Sequence, residues 1–446
     1  MRLALRLPHP LVLLTACVAV AAALTGILPA GEFERRMDEA TGRELVVAGT
    51  YKPTTPAPVS ALGALVAIPR GIVAAAEVVI SILLVGGAFA LIDQLGTLSR
   101  GAGAIVRRFA GKGIWAIPPV VLMFASFGAM ENMQEEIIAL VPVLLILGRG
   151  LGVNAVTVVA MSAGAAAIGA AFGPSNPYQA GIALKLAQLP LLEGGGVRLA
   201  MFIAGVAAWS AWTMWYAGRH RVPPDEEGAR NVQGLTGRDA IILGLVVVTF
   251  GLYVVGVITF GWGFNELSAL FFLLAVIAGL LGGLGLSASM AGFLKGMETM
   301  VAAGILVGVA RAISVVLTDG KVIDTIVQAL ASPLMDKPPA LAAMLMIPIH
   351  AVIHVAVPSV SGQAALTMPV LIPTSDLIGL ARQATVMAYQ TGAGLSELLI
   401  PTNGALMAIL LAARVPYGQW VGFAWRGLLL ALAIGVAGTL FMTWQG

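Results

Sequence analysis

The chain reads as a succession of long apolar runs separated by short polar segments. The first run, Pro10 to Leu28, follows Arg2 and Arg6 and exceeds the roughly 7–15 residues of a secretory signal core, so a retained helix is expected. Gly31 to Val59 is polar, with five acidic and four basic residues and the turn-forming Pro53, Pro56 and Pro58, and reads as an external loop. Ser60 to Gly71 is assigned to the membrane interface. Further spans run from Ile72 to Ile92, Val153 to Pro190, Arg198 to Ala217, Asp239 to Phe260, Asn265 to Leu286, Gly296 to Leu317, Arg382 to Arg414 and Trp420 to Trp444. Two of these are too long for one simple helix. Val153 to Pro190 is broken at Gly173-Pro174-Ser175-Asn176-Pro177, and Arg382 to Arg414 at Pro401-Thr402-Asn403-Gly404.

Two other regions have shorter apolar arms around a polar tip. Ala116 to Met130 and Ile137 to Leu147 flank Glu131-Asn132-Met133-Gln134-Glu135-Glu136; Leu341 to Val357 and Ala364 to Ile372 flank Pro358-Ser359-Val360-Ser361-Gly362-Gln363. At about 1.5 Å per residue the first pair of arms reaches only roughly 17–23 Å, short of a hydrocarbon core about 30 Å thick. Re-entrant hairpins are expected, giving nine crossings and two hairpins in an all-α polytopic membrane protein.

Composition supports that class. Of 446 residues, 59% are apolar and 11% charged, with 54 Gly and 24 Pro, whereas charged residues supply about a quarter of an ordinary soluble domain. The net charge of +3 resides in short loops and reports topology rather than nucleic-acid binding. Asp93 to Gly113, with Arg100, Arg107, Arg108 and Lys112, and Gly218 to Arg238, with Arg219, Arg221, Arg230 and Arg238, are expected on the cytoplasmic side, as is Arg149. The segment between Ile114 and Gly148 then enters and leaves on one side. The expected location is a bacterial-type cytoplasmic (inner) membrane, N-terminus cytoplasmic and C-terminus external, with lipid as surroundings. The single Cys17 excludes an intrachain disulfide. Trp209, Trp212, Trp215 and Tyr216, with Tyr417, Trp420 and Trp425, are assigned to interfacial belts.

The two halves align without a gap. Pro142-Val143-Leu144 matches Pro369-Val370-Leu371 and Pro174-Ser175-Asn176 matches Pro401-Thr402-Asn403; 369 minus 142 and 401 minus 174 both give 227. Counting crossings, the hairpins open to opposite sides, so the repeats are expected to be inverted. Residues 1–217 form the first repeat (hairpin 114–148, broken helix 153–190), 218–264 a cytoplasmic loop and connecting helix, and 265–446 the second repeat (hairpin 340–376, broken helix 382–414). In secondary transporters, inverted repeats with discontinuous helices place substrate and coupling-ion sites near the midplane.

Candidate site residues therefore come from the tips and breaks: Asn132, Glu135, Glu136, Ser175 and Asn176 in the first half, and Ser359, Ser361, Gly362, Gln390, Glu397, Thr402 and Asn403 in the second. Their oxygens near Asn132, Ser175 and Asn176, and near Ser361, Thr402 and Asn403, suit a hard cation such as Na+, and their donors suit a carboxylate. Ser and Asn also commonly satisfy loop backbone. Glu135 and Glu136 are costly at membrane depth; a proton carrier and a helix cap are both open readings. Arg311 and Lys185 are the basic residues placed at depth. His350 and His354 share the spacing of a zinc-protease helix, but Ala351 stands where the catalytic Glu would, and no third ligand is in view. No cofactor is expected beyond coupling Na+ or H+.

Leu28 to Arg35, Val47 to Tyr51, Leu84 to Phe89, the Glu135-Glu136 pair, Asn176-Pro177, Pro358-Ser359-Val360-Ser361-Gly362, Tyr389-Gln390-Thr391-Gly392, Leu399-Ile400-Pro401-Thr402-Asn403-Gly404 and Ala413 to Tyr417 together resemble the YfcC-type branch of the C4-dicarboxylate anaerobic carrier (DcuC) family, within the ion transporter superfamily. The resemblance implies a dimeric secondary carrier of elevator type, with Ser175, Asn176, Ser361, Thr402 and Asn403 binding carboxylate and Na+. The chain departs from the pattern at Gln134, where a small residue is expected, and at Glu397, where a neutral polar one is. The extra carboxylate argues against a simple dianion substrate. The expected function is secondary active transport of small carboxylate-bearing metabolites, C4-dicarboxylates or amino acids, coupled to Na+ or H+ or run as exchange. A peptide or basic amino acid antiporter of the same fold is the alternative, and a channel or intramembrane enzyme the competing class.

Overall fold

The computed structural model describes residues 9–38, 43–109, 112–174, 176–223 and 234–444, and they are overwhelmingly helical. Among the described residues, ten helical segments are long and apolar enough to cross a membrane. Eight coincide with spans read from the sequence. The ninth such span, 382–414, is divided by its break, and the other two long segments are the first arms of the two helix pairs.

The chain begins with α1 (Pro10–Ile27). The polar segment after it holds two small antiparallel sheets, β1 (Gly31–Glu32) with β4 (Lys52–Pro53) and β2 (Arg35–Asp38) with β3 (Arg43–Val46). The reading as loop missed these strands. The stretch assigned to the interface is instead a packed helix, α2 (Ala61–Ala74), which continues through a kink at Ala75 into α3 (Ala76–Gln94). Both lie along α13 (Leu286–Asp319). Glycines make this possible: a Cβ on Gly71 would stand 2.6 Å from the Gly308 oxygen, on Gly86 2.2 Å from Met300, and on Gly296 3.0 Å from the Gly87 oxygen. The contacts run 71 to 308, 86 to 300 and 87 to 296, so the pair is antiparallel.

Next come α4 (Thr97–Arg108), α5 (Ile117–Glu131) and α6 (Glu135–Leu151), then a broken helix: α7 (Ala155–Val159), a π-helical turn, α8 (Ala165–Phe172), a break, a second π turn and α9 (Ile182–Leu186). The long α10 (Gly195–Arg219) follows, then α11 (Gly237–Phe260) and α12 (Phe264–Leu281). After α13, the order recurs as α14 (Ile323–Ala331), α15 (Pro339–Ala356), α16 (Val360–Leu377), the broken helix α17 (Arg382–Tyr389) with its π turn and α18 (Gly404–Ala412), and α19 (Tyr417–Thr443). Shifted by 227, the start of α7 at Ala155 falls on Arg382 and the turn at Pro177 falls on Gly404, the starts of α17 and α18.

The arms of the second pair are longer than the apolar runs suggested. Pro369 and Pro373 ride inside α16, so α15 and α16 each reach about 27 Å at 1.5 Å per residue. Asn132 ends α5 in the left-handed conformation at φ 57°, turning the chain sharply into Met133 and Gln134.

The outer ends of the first pair meet: a Cβ on Gly113 would lie 2.1 Å from the Leu151 oxygen. Beside them, Arg100 of α4 grips buried Asp239 of α11 through two hydrogen bonds of 2.7 and 2.6 Å, and Thr97 and Thr236 complete that carboxylate's partners. The two Arg-rich segments thus adjoin. At the C-terminal end of α13, Arg70 pairs with Asp319, Lys321 with Glu32, and Arg35 with Asp324 of α14, which packs on α15 and α16. Arg238, next to Asp239, donates to the Gly282 oxygen just ahead of α13 (3.1 Å), so the outer ends of the two helix pairs lie toward opposite ends of α13, whose 34 residues extend about 51 Å.

Trp209 and Trp420 are buried, not belt residues. Trp209 donates to the Ala160 oxygen (2.8 Å) at the π turn after α7, and Trp420 to the Leu398 oxygen (2.7 Å) near the second break. Trp215 and Trp425 stay exposed beside Arg219 and Arg426, as belt residues do.

Candidate functional site

A cavity of about 400 Å³ lies where both tips and the second break converge. The first tip contributes Glu131, Asn132, Gln134, Glu135 and Glu136; the second contributes Pro358, Ser359, Val360 and Ser361; the break contributes Glu397, Thr402 and Asn403. The opposite wall is built by Glu77 of α3, Arg311 of α13, Tyr178, Tyr253 and Phe264.

The floor is a hydrogen-bonded amide and carboxylate set. Gln134 donates through Nε2 to Glu397 Oε2, and Asn403 Nδ2 donates to Gln134 Oε1 at 3.1 Å. Gln134 is thereby satisfied on both sides of its amide and ties the first tip to the second break. Behind Glu397, its other oxygen Oε1 stands 3.4 Å from His354 Nε2. Burial matters here because an unpaired polar group taken from water is costly. Three buried atoms on this cavity nevertheless find no partner among the described residues: Glu131 Oε1, Glu136 Oε2 and Thr402 Oγ1.

The lining carries five carboxylates, on Glu77, Glu131, Glu135, Glu136 and Glu397, and one guanidinium, on Arg311. The Gln134 side chain does not cap the start of α6, and Glu135 and Glu136 stand in its first turn, where the helix dipole favours negative charge. Chemically, the arrangement can hold a cationic group amid the glutamates and an anionic one at Arg311.

Of the residues chosen from sequence, Asn132, Glu135, Glu136, Ser359, Ser361, Glu397, Thr402 and Asn403 line this cavity. Asn176 does not. Its Oδ1 accepts from the Tyr178 and Gln179 backbone N–H at 3.0 and 2.9 Å, and its Nδ2 donates to the Gly128 oxygen, so it caps the second half of the broken helix and pins it to α5. That is the backbone role, and it leaves the oxygen little capacity for a cation. Asn403 likewise caps α18 through Leu406 N–H (3.1 Å) but also faces the cavity. Gly362 belongs to the cap formed by Ser359, whose Oγ accepts its N–H at 3.3 Å. Gln390 lies off the cavity in the π turn, where its Oε1 accepts from Arg198 Nε at 2.7 Å. Ser175 falls outside the described residues.

Arg198 is fully buried, whereas Lys185, placed at depth from the sequence, is exposed. Among the described residues no three His, Cys, Asp or Glu converge as metal ligands. Glu77, Glu131, Tyr178, Tyr253 and the Gln134 bridge were not selected from the sequence, whereas Arg311, placed at depth there, lines the cavity. The rule that charged groups at membrane depth are functional, which picked out Arg311, would also have found Glu77 and Glu131; the tyrosines carry no such signal.

Over residues 7–444 the chain matches the family described as the C4-dicarboxylate anaerobic carrier, DcuC. The chain belongs to the DcuC family. A relative from Escherichia coli (strain K12), named "Putative basic amino acid antiporter YfcC", is 31% identical over 385 residues, 80% of this chain and 76% of its own length. An "Uncharacterized protein" of Haemophilus influenzae is 27% identical over 383 residues, 82% and 75% of the two chains. Among solved structures, the chain is similar to the Alcanivorax borkumensis YdaH transporter (16% identity, TM-score 0.44, 97% of this chain and 98% of that one) and to MtrF of Neisseria gonorrhoeae (17%, 0.46, 98% and 96%). Membership of the DcuC family, with ten helices among the described residues able to span a bilayer, makes the chain an integral membrane protein of a transporter family.

Proposed function

We propose that this DcuC-family protein is a secondary active transporter of amino acids that carry a positively charged side chain. The observation that carries the reading is the charge of the cavity, five carboxylates around one guanidinium. Arg311 offers a planar fork for one substrate carboxylate, and the glutamates suit ammonium or guanidinium groups. A C4-dicarboxylate would bring two negative charges into a lining where carboxyl groups outnumber the guanidinium five to one, and like charges disfavour binding. The name given to the E. coli relative agrees with a basic amino acid and with exchange.

Alternating access is part of the same proposal. The two helix pairs open at opposite ends of α13, and α2 and α3 lie antiparallel to it; both observations support two inverted repeats, residues 1–217 and 265–446, around the cavity. The hairpins with the broken helices would form the moving unit of an elevator, and the resemblance implies a homodimer. In detergent, L-lysine, L-arginine and L-ornithine are expected to raise the melting temperature of the purified protein, and succinate and fumarate are not. Stabilisation by dicarboxylates alone would replace this reading with dicarboxylate transport.

A further inference from the structure

The cavity floor continues into the protein as a chain of four side chains. Glu397 Oε1 faces His354 Nε2 at 3.4 Å; His354 Nδ1 lies 2.7 Å from Gln363 Oε1; and Gln363 Nε2 reaches both the His350 backbone oxygen (2.9 Å) and His350 Nδ1 (3.2 Å). All four are buried.

Donor and acceptor bookkeeping fixes where the protons sit. The His350 carbonyl can only accept, so the atom of Gln363 facing it is the NH2 group. Gln363 Oε1 is then an acceptor, and His354 Nδ1 must carry a proton to donate to it. A neutral His354 accordingly presents a lone pair at Nε2, toward Glu397. The other oxygen of that carboxyl, Oε2, accepts from Gln134. With Glu397 ionised and His354 neutral, a carboxylate oxygen and a nitrogen lone pair would face each other in a buried space. One additional proton removes the conflict, either on Oε1 as a carboxylic acid donating to Nε2 or on Nε2 as an imidazolium donating to the carboxylate.

We propose that Glu397 and His354 together form the proton-binding site that couples transport to a proton gradient. The inference rests on the transport reading above and adds the identity of the coupling ion and its residues. Glu397 lines the substrate cavity while His354 stands behind it, so the two ligands compete for one carboxylate. A proton shared with His354 neutralises Glu397; a substrate ammonium in the cavity needs it ionised. Substrate entry therefore expels the proton, and proton entry expels the substrate, which is antiport.

The titratable groups facing the pair are His350 on the same helix, Tyr389 of α17, whose ring stands 5.2 Å from that of His350, and, across the cavity, Glu77, Glu131, Glu135, Glu136 and Arg311 with two tyrosines, Tyr178 and Tyr253. Asp324, Asp376 and Arg382 on neighbouring elements are held in ion pairs of their own.

The test uses full-length protein in proteoliposomes with a pH-sensitive dye inside and labelled L-lysine. Wild type is expected to move protons against lysine and to accumulate lysine under an imposed pH gradient. His354→Gln supplies a permanent donor to Glu397 and no titrating nitrogen. It is expected to lose pH-driven accumulation, lysine-linked proton movement and the pH dependence of exchange while saturable lysine-for-lysine counterflow stays measurable. Retention of pH-driven accumulation in His354→Gln would overturn the assignment. If that variant does not assemble, wild type still decides: exchange without proton movement, or driven by a Na+ gradient instead, overturns the proton site and leaves transport standing. Absence of any lysine exchange in wild type at every pH removes the transport reading itself.

Discussion

In the proposed reading, substrate choice turns on Arg311. Among the described residues it is the one guanidinium in the cavity lining, and the ion pairs found elsewhere, such as Arg100 with Asp239 or Arg382 with Asp376, do not engage it. A charge-assisted hydrogen bond is worth about 1.5–3 kcal/mol, and each 1.4 kcal/mol is about tenfold in affinity. Arg311→Ala is therefore expected to weaken lysine binding by at least about tenfold, and Arg311→Lys by less, as measured by titration of the thermal shift. Equal affinity in Arg311→Ala and wild type would remove Arg311 from the substrate carboxylate. At this scale the sequence was informative where a charged, hydroxyl or amide side chain interrupted an apolar run, as at Glu135, Glu136, Thr402 and Asn403. It was silent about pairings between distant residues. Gln134 and Glu397, each an isolated departure from the family pattern, turn out to be hydrogen-bonded to one another across 263 residues of chain. Asn176 illustrates the opposite case: residue type permitted both capping and ligand binding, and only geometry shows its oxygen occupied by two backbone N–H groups.

The broken helices hold their shape through close backbone contact. A Cβ on Gly128 would stand 2.0 Å from the Ala166 oxygen, and on Gly169 1.9 Å from the Ala125 oxygen, so α5 and α8 touch backbone to backbone. Overpacking of this kind typically costs about 1–3 kcal/mol. Gly128→Ala and Gly169→Ala are expected to lower the melting temperature clearly, whereas Gly251→Ala, with nothing within 4 Å of its added Cβ, is not. Indistinguishable melting curves for all three would contradict the close packing of α5 on α8. The breaks themselves were legible, because Pro and Gly runs interrupt otherwise apolar helices at Pro174 and Pro401. The π turns at Ala160–Gly164 and Gln390–Gly394 were not, since no residue type marks them. Nor were the buried roles of Trp209 and Trp420: their spacing near basic loops resembles a belt, but each indole N–H is used on a carbonyl beside a π turn or a break.

For the whole molecule, the 227-residue offset was the most informative sequence feature, since it aligned the breaks to the residue and pointed to one shared cavity. It could not reveal the wall opposite that cavity, which comes from α3, α11, α12 and α13, outside the matched tips and breaks. Nor could short polar strands of two to four residues be read from a segment punctuated by prolines. The central claim is that this cavity carries a basic amino acid across the membrane by alternating access. Counterflow tests it most directly: proteoliposomes loaded with unlabelled L-lysine are given labelled L-lysine outside, at equal pH and no membrane potential. Saturable uptake that overshoots equilibrium, is blocked by L-arginine and falls in Arg311→Ala is expected. Uptake that does not saturate, or that is no faster with lysine-loaded than with empty vesicles, would contradict it.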